Sequence, residues 1–298
     1  MSASVVELLA RYRDDEQLAA LSRALTIIES APTRMPDVAP APGDAPVHRV
    51  GITGPGGAGK STLVGRLVEE YRRTDRRVAV LAIDPSSPVT GGSVLGDRLR
   101  MERAGDDGVF VRSLATRRAH GAVAVAAGAM LRALESTARF DVVIIETAGA
   151  GQTDVAVAGL VDTVVLVTVP GLGDSVQAIK AGILEFADIA VVNMADRQGA
   201  VESMRHLRSM LGSRVSVLST IAADGTGVAD LVAALDARWA DLVTSDDLAD
   251  LRRSQTRQQV YVTASAFLDE CLATMTIDGA VSGSVGALLE EAARRWRT

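Results

Sequence analysis

Residues 54–62, Gly54-Pro55-Gly56-Gly57-Ala58-Gly59-Lys60-Ser61-Thr62, bring together what phosphate chemistry needs: crowded glycines, one lysine and adjacent hydroxyls. The spacing Gly54-x-x-x-x-Gly59-Lys60-Ser61 follows an apolar run and precedes an amphipathic one from Leu63 to Tyr71. Strand, glycine-rich loop and helix in that order are the context a P-loop requires. In such a loop the main-chain N–H groups of Gly56, Gly57, Ala58 and Gly59 turn inward around a β-phosphate. The start of the next helix, with Lys60, Ser61 and Thr62, adds partial positive charge. Lys60 then reaches the β- and γ-phosphates and the Ser61 hydroxyl ligates Mg²⁺. The pattern implies a bound nucleoside triphosphate.

Three further acidic signals stand where such a nucleotide needs them. Asp84 closes an apolar run as Ile83-Asp84-Pro85, within reach of a metal. Asp97 lies in the glycine-rich string from Gly91 to Arg98, the sort of segment that a γ-phosphate and its Mg²⁺ order in a nucleotide switch. A solvated Asp97–Arg98 surface pair is the plainer alternative. Glu146 ends Val142-Val143-Ile144-Ile145 and fits the Walker-B role, holding Mg²⁺ directly or through water. Three residues on, Gly149 offers its N–H to the γ-phosphate, and Gln152 either orients the attacking water or caps the next element. The lack of an obvious strong base is tolerable, because phosphoryl transfer depends mainly on positioning and charge stabilisation.

A base-reading signal follows in Val191-Val192-Asn193-Met194-Ala195-Asp196. Guanine-specific P-loop proteins carry Asn-Lys-x-Asp after a strand, and the Asp accepts two hydrogen bonds that adenine does not offer. A wrong base leaves that carboxylate unpaired, which is a strong basis for discrimination. Met194 replaces the lysine, so its thioether can still pack on the purine while the ammonium is gone. Guanine preference with weaker affinity is the expectation. In the loop from Ser219 to Gly227, Ala222 is placed to give its N–H to guanine O6.

These loops need a rigid frame. Val/Ile-rich runs at 47–53, 78–83, 109–112, 142–146, 163–169, 189–193 and 215–218 read as strands covered on both faces. Helical patterns near 60–73, 121–138, 174–186, 200–211 and 227–240 alternate with them. The order predicts an α/β fold, a doubly wound, mainly parallel sheet with its chemistry at the carboxyl ends of the strands. Residues 2–30 read as one or two amphipathic helices. Residues 31–46, with Pro32, Pro36, Pro40, Pro42 and Pro46, read as a linker. Helical patterns at 246–275 and 284–297 flank a Gly/Ser break. The expected organisation is therefore 1–46 as N-terminal helices and linker, 47–243 as nucleotide domain and 244–298 as a helical arm. Such an arm packs on a second copy or folds back on its own chain.

The 298 residues are 48% hydrophobic but only 3% aromatic, so Ala, Val and Leu must fill the core. A net charge of −6 argues against a nucleic-acid binder that relies on a basic surface. No run approaches the ~18 apolar residues of a membrane span, and a signal-peptide pattern is absent. The single Cys271 cannot pair internally, which suits a reducing cytoplasm.

The segments GPGGAGKST, AIDPSSPVTGGSVLGDRLRM, ETAGAGQTD, VPGLGDSVQAIKAGILEFADIAVVNMAD and DGTG together resemble the MeaB/ArgK/MMAA family of P-loop GTPases, in the SIMIBI class. The resemblance spans residues 49 to about 240, and the helical extensions have counterparts in length and position. It implies a GTPase chaperone for an adenosylcobalamin-dependent acyl-CoA mutase of the methylmalonyl-CoA mutase type, coupling GTP hydrolysis to cofactor loading and protection. It further implies a C-terminal dimerisation arm and hence a homodimer. Carried over by position, Lys60 binds phosphate, Ser61, Asp84, Asp97 and Glu146 belong to the Mg²⁺ and hydrolysis site, and Asn193 and Asp196 read guanine. Residues 171–180 look like the family's extra switch, with Lys180 the residue through which a partner stimulates hydrolysis. Two positions depart from the pattern: Met194 for lysine, and Ile221 where the last loop usually has serine.

Three rival functions remain. A nickel metallochaperone GTPase usually displays Cys/His ligands, whereas His48, His120, His206 and Cys271 are scattered here. A small-molecule kinase needs phosphate-clamping arginines, for which Arg117-Arg118 is the candidate, and leaves Asn193 and Asp196 without a purpose. A module that binds GTP without hydrolysing it is the third.

Overall fold

The computed structural model describes residues 4–36, 38–41, 43–84, 107–115, 120–147, 149, 152–171, 181–275 and 281–296. Seven strands, β1 (His48–Thr53), β2 (Val78–Asp84), β3 (Val109–Ala115), β4 (Val142–Thr147), β5 (Thr163–Thr168), β6 (Ile189–Val192) and β7 (Ser216–Ser219), form one sheet. Their order is β3-β2-β4-β1-β5-β6-β7, and every ladder is parallel. Each expected strand is present, shifted by no more than three residues at either end.

The helices are α1 (Val5–Asp15), α2 (Leu18–Ser30), α3 (Lys60–Arg72), α4 (His120–Ser136), α5 (Gln152–Ala158), α6 (Ala181–Phe186), α7 (Ala200–Leu211), α8 (Val228–Thr244), α9 (Asp247–Leu272) and α10 (Val281–Trp296). In β4, β5 and β6 successive residues alternate between two buried faces, which is why their runs are largely apolar, whereas β7 at the edge is exposed at Ser216. Val142 and Ile144 of β4 join Leu63, Leu67 and Tyr71 of α3 and Leu231 and Leu235 of α8 on one face. Val143 and Ile145 face the other way, into a core with Met130 and Leu134 of α4 and Leu21, Leu25 and Ile28 of α2. The N-terminal helices thus share the core of the sheet. α1 is started by a capping box, in which the Glu7 N–H donates to Ser4 Oγ and the Ser4 N–H to the Glu7 carboxylate. Within the proline-rich stretch, Pro32–Arg34 forms a 3₁₀ turn that contacts α4 and α9.

The amino-terminal edge of the sheet is held by charge. Arg49 of β1 makes a two-point ion pair with Glu135 of α4, at 2.6 and 2.7 Å, and donates to Gln255 of α9 at 3.1 Å. Arg252 of α9 grips Asp162 at 2.7 Å and the Val47 carbonyl at 2.6 Å. Helix α9 is therefore folded back on its own chain through partly buried polar contacts. Among the described residues no helix is long and apolar enough to cross a membrane.

His48 sits in this edge, stacked on Trp239 with ring centroids 4.7 Å apart and hydrogen-bonded to Thr163 Oγ1 at 2.9 Å. Burial pushes its pKa down to about 4, against the raising influence of Asp162 and Asp236. The unfolded chain takes up the proton near pH 6.5 while the fold resists it, so stability is full above that pH and declines as pH falls toward 4. Over that window the wild type is expected to lose about 3 kcal/mol more than His48→Asn, read by denaturant unfolding at each pH. Parallel pH profiles would contradict a neutral, buried imidazole.

Candidate functional site

Four connections meet at the carboxyl edge of the sheet, beyond β1, β4, β6 and β7. The P-loop leaves β1 and enters α3 at Lys60. Lys60 is buried, and its Nζ donates to the carbonyls of Gly54 at 2.8 Å and Pro55 at 3.0 Å. Desolvation lowers its pKa, opposed by the nearby carboxylates of Glu146 and Asp154. An ammonium held so close to the loop is poised for an anion. The first turn of α3 supplies the helix-end charge beside it.

Glu146 is almost wholly buried at the end of β4, and its Oε1 accepts the Ser61 hydroxyl at 2.9 Å. Ser61 and Glu146 are 85 positions apart, and the β1–β4 ladder brings them together, with Ile52 opposite Glu146. Hydroxyl and carboxylate oxygens in this arrangement suit a small hard cation such as Mg²⁺, which takes one or two protein oxygens and fills its shell from phosphates and water. After β4 the chain turns at Gly149, where φ is +81° and a Cβ would come within 2.1 Å of the Gly54 carbonyl. Only glycine lets this turn lie against the P-loop.

The base-side residues form a second set joined to the first. Asn193 is buried, and its Nδ2 donates to the Ala58 carbonyl in the P-loop at 2.8 Å. Its Oδ1 accepts from Thr220 Oγ1 and from the Ala222 N–H, each at 3.0 Å. A Cβ on Gly59 would come within 2.5 Å of Asn193 Nδ2, so the glycine permits this approach. Asp196 is exposed, and Met194 before it has a positive φ of 56° and is partly buried. The Ala195 N–H donates to the Thr220 carbonyl at 3.1 Å, which ties the two base-side loops together.

Several residues here had no signal that singles them out in the sequence. Asp154 in the first turn of α5 is buried, and its Oδ1 accepts the Thr53 hydroxyl at 3.0 Å and the Thr147 hydroxyl. It pins the start of α5 to the ends of β1 and β4. Asp154 shares the ETAGAGQTD string with Thr147, but its other partner, Thr53, lies at the end of β1 and becomes visible only through strand pairing. Arg66 of α3 donates to the carbonyls of Ala222 and Ala223, a contact across 156 residues. Of the expected site residues, Asp97 and Lys180 lie outside the described residues, as do the side chains of Asp84 and Gln152. Arg98, Arg117 and Arg118 lie outside them too.

A family model for the methylmalonyl-CoA mutase-associated GTPase MeaB matches residues 21–276. The chain belongs to this family. A Pyrococcus horikoshii protein named as a GTPase is 40% identical over 269 residues, covering 85% of this chain and 84% of its own. A fused isobutyryl-CoA mutase of Cupriavidus metallidurans is 42% identical over 164 residues, 54% of this chain but 15% of that much longer protein. Among solved structures, a LAO/AO transport system kinase aligns over 100% of this chain and 99% of its own with a TM-score of 0.69. At 23% identity that likeness speaks to fold alone. The MeaB-family chain is thus a GTPase with a P-loop fold, as the motifs implied.

Proposed function

We propose that this MeaB-family GTPase is a Mg²⁺-dependent chaperone of an adenosylcobalamin-dependent acyl-CoA mutase, coupling GTP binding and hydrolysis to loading and protection of the mutase cofactor. The observation that carries the hydrolytic part is the Ser61–Glu146 pair at 2.9 Å beside the buried Lys60. In this reading Ser61 and Glu146 would hold Mg²⁺, with Asp84 and Asp97 belonging to the same Mg²⁺ and hydrolysis site, and the ion would supply charge neutralisation for the phosphates. Lys60 exchanges its carbonyl partners for phosphate oxygens, and the P-loop amides of residues 56–62 cradle the same groups. Gly149 offers its N–H to the γ-phosphate and Gln152 orients water. Asn193 keeps the base-side loops in place and its Oδ1 takes the Ala222 N–H, so guanine is read by Asp196 and the main chain just after Ala222 rather than by the Ala222 N–H expected from the sequence. The mutase partner draws support from the family's association and from the relative in which a matching segment is fused to an isobutyryl-CoA mutase.

The proposed organisation is an N-terminal helical extension to residue 46, a GTPase domain over 47–243 and a dimerisation arm from 244. The arm exposes Val260 and Tyr261 on α9 and Leu289 and Trp296 on α10, apolar surface that a second copy can cover. A cytoplasmic location fits the single Cys271, a buried thiol.

Sedimentation at micromolar concentration is expected to give a homodimer, and a monomer there contradicts the arm's role. Phosphate release from GTP is expected to be slow alone and to rise on adding an adenosylcobalamin-dependent acyl-CoA mutase. The ceiling is the roughly 10³–10⁵-fold of a cation supplied to the γ-phosphate. Lys180→Ala should remove most of the rise. Equal rates with and without a mutase that copurifies with the chain would overturn the chaperone reading.

A further inference from the structure

Arg66 lies on the helix that opens with Lys60 and Ser61, yet its contacts run to the other side of the nucleotide site. Its Nε donates to the Ala222 carbonyl at 3.1 Å and its Nη2 to the Ala223 carbonyl at 2.7 Å. Nη1 donates to Glu69 on the same helix at 2.8 Å, which holds the guanidinium plane. The Ala222 N–H is meanwhile taken by Asn193 Oδ1 at 3.0 Å. The main chain at Ala222 is therefore gripped from both sides, by an amide fixed to the P-loop and by a cation fixed to the P-loop helix.

The grip has a directional consequence. A trans peptide is planar, so its N–H points opposite its carbonyl. With the Ala222 carbonyl turned to Arg66, the Ala223 N–H points away from α3. The rest of the loop is held independently: Ile221 bridges to Thr226, and the Thr226 N–H donates to Asp224 Oδ1 at 2.9 Å. That bond, together with the positive charge of Arg66, keeps the Asp224 carboxyl below its usual range. A planar fork with donors on separate nitrogens spans two successive carbonyls, whereas a lysine offers one point charge.

We infer that Arg66 is a specificity-determining positioning residue: from the P-loop helix it fixes the Ala222–Ala223 main chain that faces the six-position of the purine. The inference rests on the guanine-reading role proposed above for this loop. It joins the phosphate-binding helix to base recognition through one side chain.

The test is the affinity of GDP and of ADP, each with Mg²⁺, for the full chain, Arg66→Ala and Arg66→Lys, by displacement of a fluorescent guanine nucleotide. The preference for GDP over ADP is expected to fall about tenfold in Arg66→Ala and about threefold in Arg66→Lys, with ADP affinity changing less than threefold. Thermal unfolding checks that each variant is folded, and Arg66→Lys decides should Arg66→Ala not fold. An unchanged GDP preference, or parallel weakening of both nucleotides, overturns the assignment. A wild-type chain with no preference for GDP overturns the guanine reading itself, a distinct failure.

Discussion

The site is one object because of three hydrogen bonds made by a single buried amide. Asn193 donates into the P-loop at Ala58 and accepts from Thr220 and Ala222 in the last loop. An asparagine is suited to this because its carbonyl oxygen and amino group serve acceptor and donor needs at once. Buried, those bonds are not traded for water, so loss of the side chain leaves several polar groups unpaired together. The P-loop and the two loops after β6 and β7 are thereby held at a fixed spacing. Arg66 adds a second tie between the same two regions from α3, and the two ties meet at Ala222.

The frame that makes this possible is the parallel sheet, whose central strands β4 and β1 deliver Glu146 and the P-loop to one edge. The opposite edge is occupied by Arg49, Glu135, Asp162, Arg252 and Gln255, which wire α9 to β1. β1, six residues long, thus carries the ion network at its start and the P-loop at its end. A buried ion pair adds little net stability, but removing one partner strands the other, so such contacts specify a single docking of α9.

Much of this was legible in the residues. The strand runs were continuous because both faces are buried, and the glycine-rich loop with its lysine and serine announced itself by spacing. α5 escaped notice because seven residues hold too few turns for a hydrophobic period. The C-terminal helix α10 starts at Val281, inside the Gly/Ser stretch expected to break it. The sequence hinted at Asn193 as a base reader; its structural bonds to Ala58 and Thr220 depend on which loops the topology juxtaposes. Arg66 and Asp154 were hidden for the same reason: Arg66 reaches Ala222 across 156 residues and Asp154 reaches Thr53 across 101, and no local pattern encodes such distances.

The account turns on a guanine nucleotide held by a cradle that Asn193 makes rigid. Titration calorimetry of GDP with Mg²⁺ into the full chain and into Asn193→Ala tests this most directly. Saturable binding by the wild type and a loss of roughly 100-fold in the variant are predicted. No heat of binding in the wild type, or equal affinities in the two proteins, would contradict it.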